Sequence, residues 1–144
     1  MKFNTFVQPM LLSEQSSPFD DDDYIFEFKF DGIRATLHAS PKVVHVFTRR
    51  GNEITHIFPE LQEIANIVDD KVIFDGEIVS FEHGMPSFSK LQKRNLLKDK
   101  SKIESVCREE PVAFVAFDCL YDKKDLRKLP LLDRKKMLSK YPDT

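Results

Sequence analysis

Tryptophan is missing from this 144-residue sequence, and cysteine occurs only twice. Cys107 and Cys119 have no CxxC spacing and no histidine at metal-ligand spacing, so neither a zinc site nor a redox pair is expected. The expectation is reduced thiols in a cytoplasmic protein. No stretch approaches the roughly 20 apolar residues of a membrane helix. The opening MKFNTFVQPMLLSEQ also lacks an apolar run long enough for a signal peptide, so no membrane partner is expected. The four glycines form no Gly-x-x-x-x-Gly-Lys-Ser/Thr run, which argues against a P-loop nucleotide site. An excess of charge is lacking too, with 22 Lys+Arg against 24 Asp+Glu. Binding to nucleic acid by bulk charge is thereby excluded, and any such contact has to come from a local patch. There is no internal repeat, and no low-complexity tract beyond Asp20–Asp23. Those four adjacent carboxylates do not converge on one point and read as a solvated loop.

What is present suits one domain with a single core, rich in phenylalanine, of which there are thirteen. Residues 1–19 read as an irregular lead-in broken by Pro9 and Pro18. Over Tyr24–Phe30, Phe26, Phe28 and Phe30 alternate with Glu27, Lys29 and Asp31. This predicts a strand with three rings towards the core and three charges on the other face. Asp31-Gly32 is a turn signal. Further strands are predicted over Ile33–His38, Val43–Thr48, Val72–Phe81 and Val112–Leu120, with turns at Arg50-Gly51-Asn52 and His83-Gly84. Helices are predicted over Pro59–Val68, Ser87–Leu97 with Ser87 as N-cap, and Leu131–Ser139. Strands and helices without regular alternation imply an α+β fold, a largely antiparallel sheet with flanking helices. Lys90, Arg94 and Lys98 fall at helical spacing. They read either as a solvated helix face or as a patch for a nucleic-acid backbone.

The richest chemistry surrounds Lys29. A lysine fixed between two carboxylate positions either forms ion pairs above a sheet or acts as a nucleophile. The second role needs desolvation or nearby cations to lower its pKa. Arg34 and the Arg49-Arg50 pair offer such cations, and guanidinium groups also suit phosphate oxygens.

Lys29-Phe30-Asp31-Gly32-Ile33-Arg34 resembles the Lys-x-Asp-Gly-x-Arg signature of the covalent nucleotidyltransferases, which include DNA ligases, RNA ligases and mRNA capping enzymes. Further ordered segments resemble those of ATP-dependent DNA ligases. They are Phe47–Glu53, Phe74-Asp75-Gly76-Glu77-Ile78-Val79, Ser87–Arg94, Phe117-Asp118-Cys119-Leu120-Tyr121, and Leu129-Pro130-Leu131 with Arg134. The likeness runs from about Gln8 to Leu138.

The resemblance implies a partial adenylation domain over residues 1–144, with an ATP-grasp-like architecture and no oligonucleotide-binding domain. It also implies a reaction: Lys29 attacks ATP to form lysyl-AMP with Mg2+, and AMP passes to the 5′-phosphate of a nick in double-stranded DNA. Glu27 would read the adenine edge, or simply pair with a cation. Arg34 would contact the nucleotide or the nick phosphate, or remain an exposed strand arginine. Arg49, rather than Arg50, would meet the ribose. Glu77 would lie near the ribose and the metal, and Phe117 would stack on adenine or pack in the core. Asp31 would orient Lys29, and Gly32 would ease the turn after it.

The family's later Glu-Gly motif and its final lysine-rich strand motif do not follow Phe117. Weak ATP binding and impaired ligation are therefore expected, and a C-terminal complementing fragment is a candidate partner. An inactive nucleotide- or DNA-binding remnant, an RNA ligase and a capping-type enzyme stay open as alternatives. Arg34 and the Phe-Asp-Cys-Leu-Tyr stretch favour the DNA ligase pattern.

Overall fold

The computed structural model describes residues 3, 5–15 and 17–143. Of the expected lead-in over 1–19, residues 1, 2, 4 and 16 lie outside the described residues; the remainder forms no strand or helix. The strands are β1 Ile33–Ser40, β2 Val43–Thr48, β3 Val72–Val79, β4 Phe81–Glu82, β5 Met85–Pro86, β6 Ala113–Asp122 and β7 Lys124–Asp125. The helices are α1 Phe88–Asn95, α2 Lys100–Glu109 and α3 Leu131–Leu138. Five strands join in the order β2-β1-β3-β6-β7, every neighbour antiparallel, and β4 and β5 make a small separate hairpin. The α+β expectation with a largely antiparallel sheet therefore holds.

Alternation along the strands gives the sheet two faces. Ala35, Leu37 and Ala39 of β1, Val44 and Val46 of β2, and Val72, Phe74 and Ile78 of β3 point to one face and form the main core. Phe58, Leu61 and Leu91 cover it from the following segments. On the other face the lead-in covers one end, where Val7 packs on Ile73 and Leu120, and Phe3 lies against the His38 ring. The opposite end of that face carries Arg34, Asp75 and Glu77.

The helix expected at Pro59–Val68 is present as a 3-10 helix over Pro59–Ile67. From it, the Gln62 amide pairs with both backbone groups of Val44, at 3.0 and 2.7 Å. This satisfies part of the outer edge of β2. The turn at His83-Gly84 is also present, with both residues at positive φ, as a tight hairpin between β4 and β5 requires. Helix α2 was not expected. Asp99 caps it by accepting from the Lys102 N–H, and Ile103, Val106 and Cys107 supply a short apolar stripe that sequence reading could have caught. Among the described residues no helix is long and apolar enough to cross a membrane.

Two expectations fail. Residues 24–30 form no strand: Phe26 and Phe28 are 62% and 91% exposed, and only Phe30 is half-buried. Alternation assigns side chains to faces, but a strand also needs a ladder partner for its backbone, and no described strand pairs with this segment. Phe26 instead packs on Phe19, which meets Tyr24 edge-on.

The basic stripe fails as well. Helix α1 ends before Lys98, Lys90 is paired with Glu110 at 2.8 Å, and Arg94 is buried. The Arg94 guanidinium donates to Glu60 at 2.6 Å and to the carbonyls of Ile57 and Glu110. Glu60 also accepts from the Val112 N–H. Arg94 thus ties the 3-10 helix to the entry of β6, which is why its charge is turned inward. Arg94→Ala should cost about 3 kcal/mol or more, because Glu60 would be left buried without its partner. Urea unfolding would measure this, and a change within the scatter of surface substitutions would rule out the tie.

Candidate active site

Two carboxylates define the middle of the charged face. Asp75 on β3 and Asp118 on β6 are both buried and stand opposite each other in the ladder. Like charges so placed repel, and each has its own arginine. Arg34 grips Asp75 through Nε at 2.7 Å and Nη2 at 2.9 Å. Arg134, from α3, grips Asp118 through Nε at 2.8 Å and Nη2 at 2.7 Å, and it also donates to the Leu129 carbonyl. Such bidentate forks are the strongest ion-pair geometry and need ionised acceptors. Burial pushes the Asp75 carboxyl up, against the pull of Arg34. Burial also works against the Arg34 charge, but Asp75, Glu77 and Asp118 outweigh it and hold the guanidinium above its ordinary value.

Arg34 was expected to meet a nucleotide or a nick phosphate. The structure gives its Nε and Nη2 to Asp75 and lays its guanidinium 4.4 Å from the centre of the Phe117 ring. Phe117 reaches this face through an irregularity in β6. The β3–β6 ladder shifts register between Asp75 and Gly76, pairing them with Asp118 and Ala116, so Phe117 is the residue skipped. A bulge of this kind re-aims one side chain without ending the sheet. Phe117 is half-buried, between the two roles expected of it.

Glu77 sits two residues beyond Asp75 on the same face, opposite Arg34. Its Oε1 accepts the Gly32 N–H at 3.1 Å. Burial pushes its carboxyl up; Arg34, the Gly32 N–H and Lys29 pull the other way. Gly32 approaches β3 so closely that a Cβ would lie 2.1 Å from the Ile78 carbonyl oxygen. Glycine is therefore needed here for contact with the sheet, not for the turn that the sequence suggested. Gly76 is crowded in the same way by the Val115 carbonyl and the Phe114 ring.

Lys29 and Asp31 are exposed, and both act on Glu77 through their charge. Glu27 is half-exposed and is bound by the Lys135 ammonium. Lys135 also donates to the Phe117 carbonyl at 2.7 Å. Arg49 and Arg50 are exposed in the turn after β2, where Gly51 takes a positive φ, and the Arg49 N–H donates to the Arg34 carbonyl at 3.2 Å. Arg34, Glu77 and Phe117 thus share one face, while Lys29 reaches Glu77 only through its charge and Glu27 is joined to the Phe117 carbonyl through Lys135. Arg49 joins only through its backbone.

Sequence reading gave no role to Asp75, Asp118 or Lys135, although all three stand within or beside segments it singled out. Alternation with Glu77 was the available signal for Asp75; nothing local marks Lys135. A groove of about 930 Å3, lined by Ile64, Phe74, Phe114, Ala116, Leu138 and Tyr141, opens on the opposite, apolar face and is unconnected with this chemistry.

Among the described residues no group of three or more metal-type side chains converges. Glu77 offers one carboxylate whose second oxygen carries no hydrogen bond in the structure. That fits Mg2+, which often takes one or two carboxylates and completes its shell with water and substrate phosphates.

One face of the antiparallel sheet thus carries a half-buried glutamate and an arginine-backed aromatic, with the exposed Lys29 in the segment that leads into β1. Residues 9–143 match the ATP dependent DNA ligase domain, and the chain belongs to that family. It is 35% identical over 136 residues to the SPbeta prophage-derived DNA ligase-like protein LigB of Bacillus subtilis, covering 93% of this chain and 47% of that protein. It is 43% identical over 116 residues to a probable DNA ligase of Koribacter versatilis, covering 79% of this chain and 20% of that one. Among solved structures it resembles mycobacterial DNA ligase D complexed with ATP and MES, with a TM-score of 0.66 and 33% identity, over 79% of this chain and 35% of that chain. The chain therefore spans less than half the length of these relatives.

Two outcomes test the geometry. Gly32→Ala should cost about 1–3 kcal/mol, the usual range for forcing atoms into a filled space; denaturant unfolding would read it, and an unchanged midpoint would rule out the close approach. Burial raises the Glu77 pKa above 4.5. Glu77 therefore contributes stability that is present below its unfolded value and lost as pH rises through its folded one. The stability of the wild type relative to Glu77→Gln should accordingly fall as pH rises from the ordinary glutamate range through the raised folded value. A pH-independent difference would contradict the raised value.

Proposed function

We propose that this chain performs the nucleotide-activating part of ATP-dependent DNA ligation, with Lys29 as the nucleophile. The Lys29 Nζ lone pair forms a bond to the α-phosphorus of ATP as the bond to the β-phosphate bridging oxygen breaks. The products are lysyl-AMP and pyrophosphate; one proton leaves the ammonium for solvent before attack, and a second leaves the nitrogen for solvent as the neutral phosphoramidate forms. Such a covalent intermediate divides one hard transfer into two easier ones. Glu27 accepts from the adenine edge, and Phe117 stacks the base on the ring face that Arg34 leaves. Arg34 adds positive charge beside the phosphates, and Arg49 reaches the ribose. Bound Mg2+ would neutralise phosphate charge, held by Glu77 among the protein groups.

The observation that supports this most is the Gly32–Glu77 contact. Lys29 lies in a segment with no ladder of its own, and that contact holds the segment's end against the face bearing Arg34, Asp75 and Phe117. AMP transfer to the 5′-phosphate of nicked double-stranded DNA, and sealing by the 3′-hydroxyl, belong to the longer relatives. Residues 1–144 span less than half the length of those relatives.

Self-adenylylation is the test. With Mg2+ and ATP labelled at the α-phosphate, the wild type should retain label on a denaturing gel, and Lys29→Ala should fall to background. Absence of label on the folded wild-type chain, or label undiminished in Lys29→Ala, would refute the assignment.

A further inference from the structure

Lys135 extends from α3 to two acceptors at once, the Glu27 carboxylate and the Phe117 carbonyl. These acceptors come from distant parts of the chain. Glu27 lies in the segment before β1 that no strand holds, and Phe117 is the residue the β3–β6 ladder skips. A skipped residue leaves its carbonyl for a side-chain donor, and Lys135 uses it as a fixed point. Helix α3 is itself locked to β6 by the buried Arg134–Asp118 fork one residue earlier. The Lys135 ammonium therefore has a rigid base, and through it Glu27 is held beside Phe117.

We propose that Lys135 is a positioning residue that sets base specificity. It holds Glu27 as an oriented acceptor beside Phe117, so that the site takes a purine with an exocyclic amino donor at C6 and turns away one with a carbonyl there. This rests on the assignment of Glu27 and Phe117 to the base. An ionised carboxylate only accepts hydrogen bonds. Lys135 occupies Glu27 Oε1, which leaves Oε2 to receive the amino N–H of adenine. The 6-oxo group of guanine would meet that oxygen acceptor to acceptor, and a polar pair left unsatisfied in this way costs roughly a factor of ten or more in affinity. With Lys135 removed, Glu27 swings with its unladdered segment and the discrimination is lost. A half-exposed ion pair contributes little to stability, so a merely structural role and a positioning role predict different readouts.

The test is calorimetric binding of ATP and GTP to the full chain, with melting temperature and self-adenylylation followed in parallel. The wild type should prefer ATP. Lys135→Met should reduce the ATP-over-GTP ratio by about tenfold, chiefly through weaker ATP binding, with the melting temperature nearly unchanged. Lys135→Arg, which can still donate to both acceptors, should restore the ratio. Glu27→Gln should lower it too, because an amide also donates, and adding Lys135→Met to that variant should lower it no further. A ratio unchanged in Lys135→Met, a wild type without preference, or additive effects of the two substitutions would each overturn the proposal. If the ratio falls as expected while the wild type takes no label, the positioning role stands and the lysyl-AMP assignment fails. If label appears without base preference, the reverse holds. A wild type that binds neither nucleotide overturns both.

Discussion

Two buried aspartates face each other across the centre of the sheet, and the arrangement holds only because two arginines arrive from opposite sides. Arg34 comes along β1 to Asp75, and Arg134 comes down from α3 to Asp118. Removing one partner from a buried pair leaves an uncompensated charge, typically worth several kcal/mol. The four residues therefore constrain β1, β3, β6 and α3 as a unit. The same constraint reaches the candidate site. The arginine that satisfies Asp75 also lies over Phe117, and the helix that satisfies Asp118 also carries Lys135.

Around this centre the site is built from departures from regular structure. The ladder skips Phe117, so an aromatic ring appears on the charged face. Gly32 sits where no side chain fits, so the segment after Lys29 can press against β3 and donate to Glu77. Residues 24–30 lack a ladder and are held instead by the Gly32 amide at one end and by Lys135 at Glu27. A regular sheet would satisfy its backbone more completely but would present only alternating side chains. The skipped residue and the close approach bring groups from separate strands to one place.

Much of the fold was legible because it rests on short-range pattern. Strands were expected at β1, β2, β3 and β6 and a helix at α3, and all five are present. His83-Gly84 marked a hairpin turn whose positive φ angles the structure contains. The same signals misled where tertiary partners decide. The alternation of Phe26, Phe28 and Phe30 is as clear as that of β1, yet no described strand pairs with it. Arg94 stood in a basic stripe at helical spacing, yet Glu60 and the Ile57 carbonyl, more than thirty residues away, turn it inward.

The sequence by itself determined the antiparallel α+β architecture and the set of ordered segments that shows the family. Both depend on residue type and spacing, which the chain carries locally. It also marked Lys29, Arg34, Glu77 and Phe117 as residues of interest. Only the tertiary structure decided how they are held: Arg34 shared between Asp75 and Phe117, Glu77 bonded to Gly32, and Glu27 tethered by Lys135 across 108 residues of chain. Each of those contacts needs a partner brought near by the fold of the sheet, and neither alternation nor spacing specifies which distant group will satisfy a buried charge.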